Sequence, residues 1–251
     1  MSLRRAVSAA LFACSVLALP PVPAAAADPC DAPAELLLPG EKLPHAARAV
    51  ASRRALRVLV LGSASSTLGG TSAPSSAYPA RLSTELVDRL PRTDIIVQTR
   101  GGRGMTARDM AALLDPALAE FQPDLVIWQT GTVDAVNGID PDDFAATLRA
   151  GADRLAAAGI DLILMDQQFS RAARATLNYP PYRAAMEALD TAGSVQLLRR
   201  YDLMNHWAEA GQIDLERAPR RDWQRTADQL HACLARLLAD GIVAGLHLQR
   251  R

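Results

Sequence analysis

The sequence predicts an α/β fold, a parallel sheet with helices on both faces, from three observations. Short runs rich in Val, Leu and Ile, bounded by turn residues, recur along the chain. Segments between them carry apolar residues at helical spacing, and strand–helix alternation of this kind builds a parallel sheet. The first apolar run, Leu56-Arg57-Val58-Leu59-Val60-Leu61, ends in Gly62 and a cluster of hydroxyls, Ser63, Ser65, Ser66 and Thr67. In open α/β sheets ligands sit outside the carboxyl ends of strands, which places residues 63–70 on the functional edge. A polar turn that only joins strand to helix fits the same stretch, and the stretch alone leaves both readings open.

Ahead of that strand, Arg4 and Arg5 precede an apolar run over 6–19, then Pro20, Pro21 and four alanines at 24–27. This is the pattern of a secretory signal peptide, expected over 1–27, and it predicts an exported, periplasmic or secreted chain. No other apolar run is long enough to span a bilayer, so no transmembrane segment is expected in the mature chain. A lipid anchor at Cys14 is the weaker reading, because Phe12 is bulky and little apolar sequence precedes it. Residues 28–55 read as a proline-punctuated arm followed by a helix from Pro44, whose missing N–H costs nothing in a first turn. The domain proper is expected over 56–245, with a tail at 246–251; roughly 220 residues suit one core.

Helices are expected at 79–90, with Leu82, Leu86, Val87 and Leu90 on one face, and at 106–120, with Thr106 and Asp109 in a capping box. Asp140-Pro141-Asp142-Asp143 starts a helix that Gly159 stops. Further helices are expected near 182–192, 201–210 and 228–242, and strands at 95–97, 125–128, 160–165 and 195–198. Lys+Arg and Asp+Glu balance at 27 each, and no basic stripe alternates with aromatics, which argues against nucleic acid as a partner. No histidine or cysteine cluster has metal-ligand spacing. Gly101-Gly102-Arg103-Gly104 lacks the spacing and the Lys-Ser/Thr of a phosphate loop. Cys30 and Cys233 remain once the leader is removed. An even count in an oxidising compartment makes a bridge plausible, with a free Cys30 and a buried Cys233 as the alternative.

Four segments line up at strand ends or before the last helix: Gly62-Ser63-Ala64-Ser65, Arg100-Gly101-Gly102-Arg103-Gly104, Gly131-Thr132-Val133-Asp134 and Asp222-Trp223-Gln224-Arg225. Their order resembles the four sequence blocks of the SGNH, or GDSL-type, hydrolases, over nearly the whole mature chain. The resemblance implies a flavodoxin-like three-layer fold and ester hydrolysis without metal or cofactor, on a small-molecule ester. In that family the blocks read Gly-Asp-Ser with the nucleophile, a glycine whose N–H enters the oxyanion hole, Gly-x-Asn-Asp with a second oxyanion donor, and Asp-x-x-His with the base. A serine is a weak nucleophile until a base takes its proton, and the tetrahedral intermediate needs donors aimed at its oxygen.

Carried across, the scaffold matches and the chemistry departs. Gly62, Gly104, Gly131, Asp134 and Asp222 fit. Ser63 stands at the aspartate position, Ala64 at the nucleophile position, Val133 at the asparagine position and Arg225 at the histidine position. Ser65 is the candidate for a displaced nucleophile. His231, six residues beyond Arg225, reads as a packing or solvent-facing residue rather than a replacement base. His45, His206 and His247 read as surface or helix-face residues. The expectation is therefore a hydrolase fold impaired at nucleophile and base. The alternative is a non-catalytic module whose pocket, with Ser63, Gly104, Val133, Asp134 and Arg225, takes an anionic or acylated ligand. For Arg225 two readings stand, an anion-binding fork of donors or a simple pair with Asp222. Oligomeric state is not legible.

Overall fold

Five apolar runs become five parallel strands: β1 (Ala55–Gly62), β2 (Asp94–Gly101), β3 (Leu125–Gln129), β4 (Asp161–Met165) and β5 (Gln196–Leu198). The computed structural model describes residues 28–39, 43–192 and 195–246; the expected leader at 1–27, most of the tail and His247 lie outside the described residues. The order is β2-β1-β3-β4-β5, the doubly wound order of flavodoxin-like sheets. Register is continuous across the centre, with Val58 opposite both Val97 and Leu125, and Leu125 opposite Asp161. β3 and β4 are buried along their whole length, as strands covered on both faces must be. β2 lies at an edge and carries half-buried and exposed residues.

The helices are α1 (Pro44–Arg53), α2 (Ala64–Thr67), α3 (Tyr78–Arg89), α4 (Ala107–Ala111), α5 (Leu114–Phe121), α6 (Thr132–Val136), α7 (Pro141–Ala157), α8 (Arg171–Thr176), α9 (Pro180–Thr191), α10 (Arg200–Glu209) and α11 (Trp223–Gly245). Their starts follow the expected chemistry. Asp140 Oδ1 accepts from the Asp142 N–H at 2.8 Å, and Thr106 and Asp109 form the reciprocal capping box. The first turn of α1 has no capping side chain of its own. Asp161, the first residue of β4, instead accepts from the N–H groups of His45 (3.0 Å) and Ala46 (2.9 Å).

The single helix expected over 106–120 is two. Pro116 sits in the first turn of α5, where it has no N–H for the Ala112 carbonyl and its ring would clash with that carbonyl in a continuous helix. α11 begins five residues earlier than expected, and the short α2, α6 and α8 leave no periodic signal. Trp128 of β3 is fully buried against Gly151 of α7; a Cβ there would come within 2.4 Å of the indole. Helix and sheet approach closely because that residue has no side chain.

The N-terminal arm is fastened to α10 and α11. Cys30 and Cys233 are disulfide-bonded with Cα atoms 5.1 Å apart, Trp207 Nε1 donates to the Asp31 carbonyl at 3.0 Å, and Arg236 pairs with Asp28 at 2.7 Å. The bridge spans 203 residues, a closure worth about 5 kcal/mol in the chain-entropy model. Replacing both cysteines by serine should lower unfolding free energy in urea by up to about 5 kcal/mol. A loss below about 1 kcal/mol would show that the bridge barely restricts the unfolded chain.

Candidate functional site

Three of the four segments meet on the carboxyl edge of the sheet, and the fourth, at the start of the last helix, approaches the turn after β1 through Trp223. Gly101 makes the closest approach: with φ +116° and the Gly62 carbonyl 2.0 Å from where a Cβ would stand, only glycine fits. The Gly102 N–H then donates to that same carbonyl at 3.1 Å, joining the first and second segments. Asp134 joins the second and third. Its buried carboxylate accepts from the N–H groups of Ala107 (2.9 Å) and Gly131 (3.2 Å) and from Thr130 Oγ1 (3.3 Å). Burial raises its pKa while those donors pull it down. Gly104 is exposed with φ +82°, and Val133 is half-buried.

The first segment reaches the last helix through glycines. The indole of Trp223 lies on Gly70, and the Cε1–Nε2 edge of His231 lies over Gly69, on the side that also faces the Ser65 Cα. Arg225 is not the contact. It stands exposed and donates to Asp222 Oδ1 at 2.9 Å, the simpler of the two readings open for it.

Ser65 is nearly buried, at 7 % exposure, and its hydroxyl is engaged on both sides. It donates to Gln129 Oε1 at 3.0 Å and accepts from Arg200 Nη1 at 3.1 Å. Ser66 Oγ also donates to Gln129 Oε1, at 2.9 Å, so the amide oxygen has a donor on each lone pair. Ser66 lies 3.3 Å from the Tyr78 hydroxyl, whose pKa burial pushes up to about 12. Ser63 is half-buried, with Gln129 Nε2 3.5 Å from its hydroxyl, and Ala64 beside it has no reactive atom.

Arg200, the first residue of α10, is 1 % exposed. Besides Ser65 it donates through Nη2 to Gln168 Oε1 at 3.2 Å, while its Nε has no partner. Among the described residues no carboxylate lies within ion-pair distance of it. Burial lowers its pKa, yet a guanidinium stays protonated. His231 is buried too. Its Nδ1 accepts from the Tyr78 N–H at 3.0 Å, which leaves the proton of the neutral ring on Nε2. Burial, then the charges of Arg200 and Arg81, push its pKa down to about 3. Its neighbour one helical turn back, Asp228, accepts from the Ser72 N–H (2.9 Å) and hydroxyl (2.6 Å).

Among the described residues no serine hydroxyl is hydrogen-bonded to a histidine. Ser65 meets an amide oxygen, which cannot take its proton, and a cation, which occupies a lone pair. Gln129, Arg200 and Asp228 are the residues that sequence reasoning passed over. Gln129 ends β3 and Arg200 stands two residues past β5, so a polar side chain just after an apolar run was the available signal. Asp228-Gln229-Leu230-His231 has Asp-x-x-His spacing, a signal hidden by the alternative placement of that block on Asp222.

Asp166, just past β4, completes the buried charge. Its Oδ1 accepts from the Tyr201 N–H at 2.9 Å and Arg183 lies 3.4 Å away, but desolvation pushes its pKa up to about 7. Asp166 and His231 therefore act on stability with opposite signs. Between pH 4 and 6.5 the unfolded chain protonates the histidine and the native state does not, so this residue makes stability rise with pH by about 1.4 kcal/mol per unit. Over the same window the native state keeps the Asp166 proton and the unfolded chain loses it, so stability falls at a similar slope. Relative to wild type, Asp166→Asn should tilt the stability curve upward with pH and His231→Gln should tilt it downward. Denaturant titrations of the three at four pH values check it; parallel curves would contradict the opposed protonation states.

A family model described as the Non-GDSL lipase-like family matches residues 29–248. No curated protein matches the chain. Among solved structures, TesA is 22% identical with TM-score 0.55, over 72% of this chain and 99% of that one. A two-domain esterase (CEX) active on acetylated mannans is 14% identical with TM-score 0.63, over 86% of this chain and 58% of that one. LAE5, an alpha/beta hydrolase enzyme from the metagenome of Lake Arreo, Spain, is 21% identical with TM-score 0.56, over 75% and 96%. At these identities the structures speak for the fold, an ester-hydrolase-like three-layer sandwich. The family match spans nearly all of the described chain, and the protein belongs to the Non-GDSL lipase-like family.

Proposed function

We propose that this chain is an exported, ester-hydrolase-like protein that holds an acylated or anionic small molecule at its strand-end pocket without efficient turnover. The observation that supports this reading is the bracketing of Ser65 Oγ between Gln129 Oε1 and Arg200 Nη1; the resemblance to the SGNH blocks, which puts Ala64 at the nucleophile position, agrees with it. Losing the serine or the histidine of a triad alone costs about 10⁶ in kcat, so a pocket with neither pair assembled is a binding site first. Val133 adds to the deficit, since it has no side-chain donor for an oxyanion.

A second reading has one specific observation in its favour. The His231 ring lies over Gly69 beside the Ser65 Cα, and Asp228 precedes it at Asp-x-x-His spacing. Hydrolysis by this pair requires Ser65 to leave Gln129 and His231 to leave the Tyr78 N–H. Two structural relatives are esterases described by acetylated mannans and acetyl-xylooligosaccharides, which makes short acyl esters the first substrates to assay. With p-nitrophenyl acetate and acetylated xylooligosaccharides at high protein concentration, wild type, Ser65→Ala and His231→Gln should hydrolyse at the same background rate. Turnover removed by either substitution would establish the second reading instead.

A further inference from the structure

A cleft of about 580 Å³ opens beside α9, lined by Arg174, Leu177, Tyr179, Arg183, Glu187 and Tyr201 among others. That volume is in the range of sites for small organic molecules. Its wall is aromatic and aliphatic: Tyr179 and Tyr201 pack edge to face with ring centres 5.8 Å apart, and Leu177 is half-buried alongside.

Arg183 is engaged by Asp202, by Asp166 at 3.4 Å and by Glu187 at 3.8 Å. Glu187 is shared with Arg199 at 3.2 Å. Arg174 is left over: among the described residues it has no carboxylate partner, and its guanidinium lies only over the Phe169 ring, at 5.7 Å. Next in the chain to Tyr201 is Arg200, buried and, among the described residues, hydrogen-bonded to the neutral Ser65 and Gln168. A lining that sets two tyrosines and a leucine beside the exposed guanidinium of Arg174 suits a molecule with an apolar body and a single negative head.

We propose that this cleft binds an amphipathic monocarboxylate, its aliphatic or aryl body against Leu177, Tyr179 and Tyr201 and its carboxylate on Arg174. The site is separate from the Ser63–Ser66 turn and stands whether or not that turn hydrolyses esters. The probe is octanoate, titrated calorimetrically into the intact protein. Wild type should bind it saturably. Octanamide, which lacks the charge, and the Arg174→Glu variant should each weaken binding tenfold or more, while Arg174→Lys should lose less than Arg174→Glu. Leu177→Trp, which narrows the cleft beside the two tyrosines, should weaken binding with the far-ultraviolet circular dichroism unchanged. Absence of saturable binding to wild type, equal affinity for octanoate and octanamide, or wild-type affinity in Arg174→Glu or Leu177→Trp would overturn the proposal. Ser65-dependent ester hydrolysis in the same preparations bears on the strand-end pocket alone.

Discussion

A guanidinium with neutral partners sits at the centre of the carboxyl edge. Arg200 begins the helix after β5 and reaches both the turn after β1, at Ser65, and the loop after β4, at Gln168. Burying a charge this far from water is costly unless it is paired, and here hydrogen bonds from its two terminal nitrogens supply only part of the compensation. Ser65 must therefore stay turned toward Arg200, Gln129 must stay turned toward Ser65 and Ser66, and α10 must begin where it does. The arrangement draws three strand ends into one polar cluster and sets what the serine can do.

Around that cation two buried titratable groups shift toward their neutral forms. His231 sheds its proton because burial and two nearby arginines oppose a third positive charge, and Asp166 retains its own against desolvation despite Arg183. Neutral histidine with Nδ1 committed to a backbone N–H offers a donor at Nε2 where a general base would need a lone pair. The same scaffold can carry a family's fold while its site differs, since function resides in the site and not in the fold.

The strands and most helices were legible because apolar runs, caps and glycines are local signals. Gly62, Gly101 and Gly131 could be placed by their positions after strands, and each proves to lie where backbone or side chains approach closely. The break at Pro116 was also a local signal, whereas the capping box at Thr106 marks only where that stretch begins. What could not be read were contacts across long sequence separations. Arg200 and Ser65 are 135 residues apart and His231 and Tyr78 are 153 apart, and nothing near either position announces the other. Arg225 shows the converse: its place in a motif suggested the site, whereas an aspartate three residues away was enough to hold it at the surface.

The central claim is that Ser65 is held in an unactivated state by Gln129 and Arg200. An alkyl fluorophosphonate reports on this directly, because it forms a covalent adduct only with a serine whose hydroxyl is activated as a nucleophile. Intact-mass analysis after prolonged exposure at neutral pH should find the wild-type chain unmodified. A stoichiometric adduct mapped to Ser65 would contradict the account, since it would require a base within reach of a hydroxyl that here meets only an amide oxygen and a guanidinium.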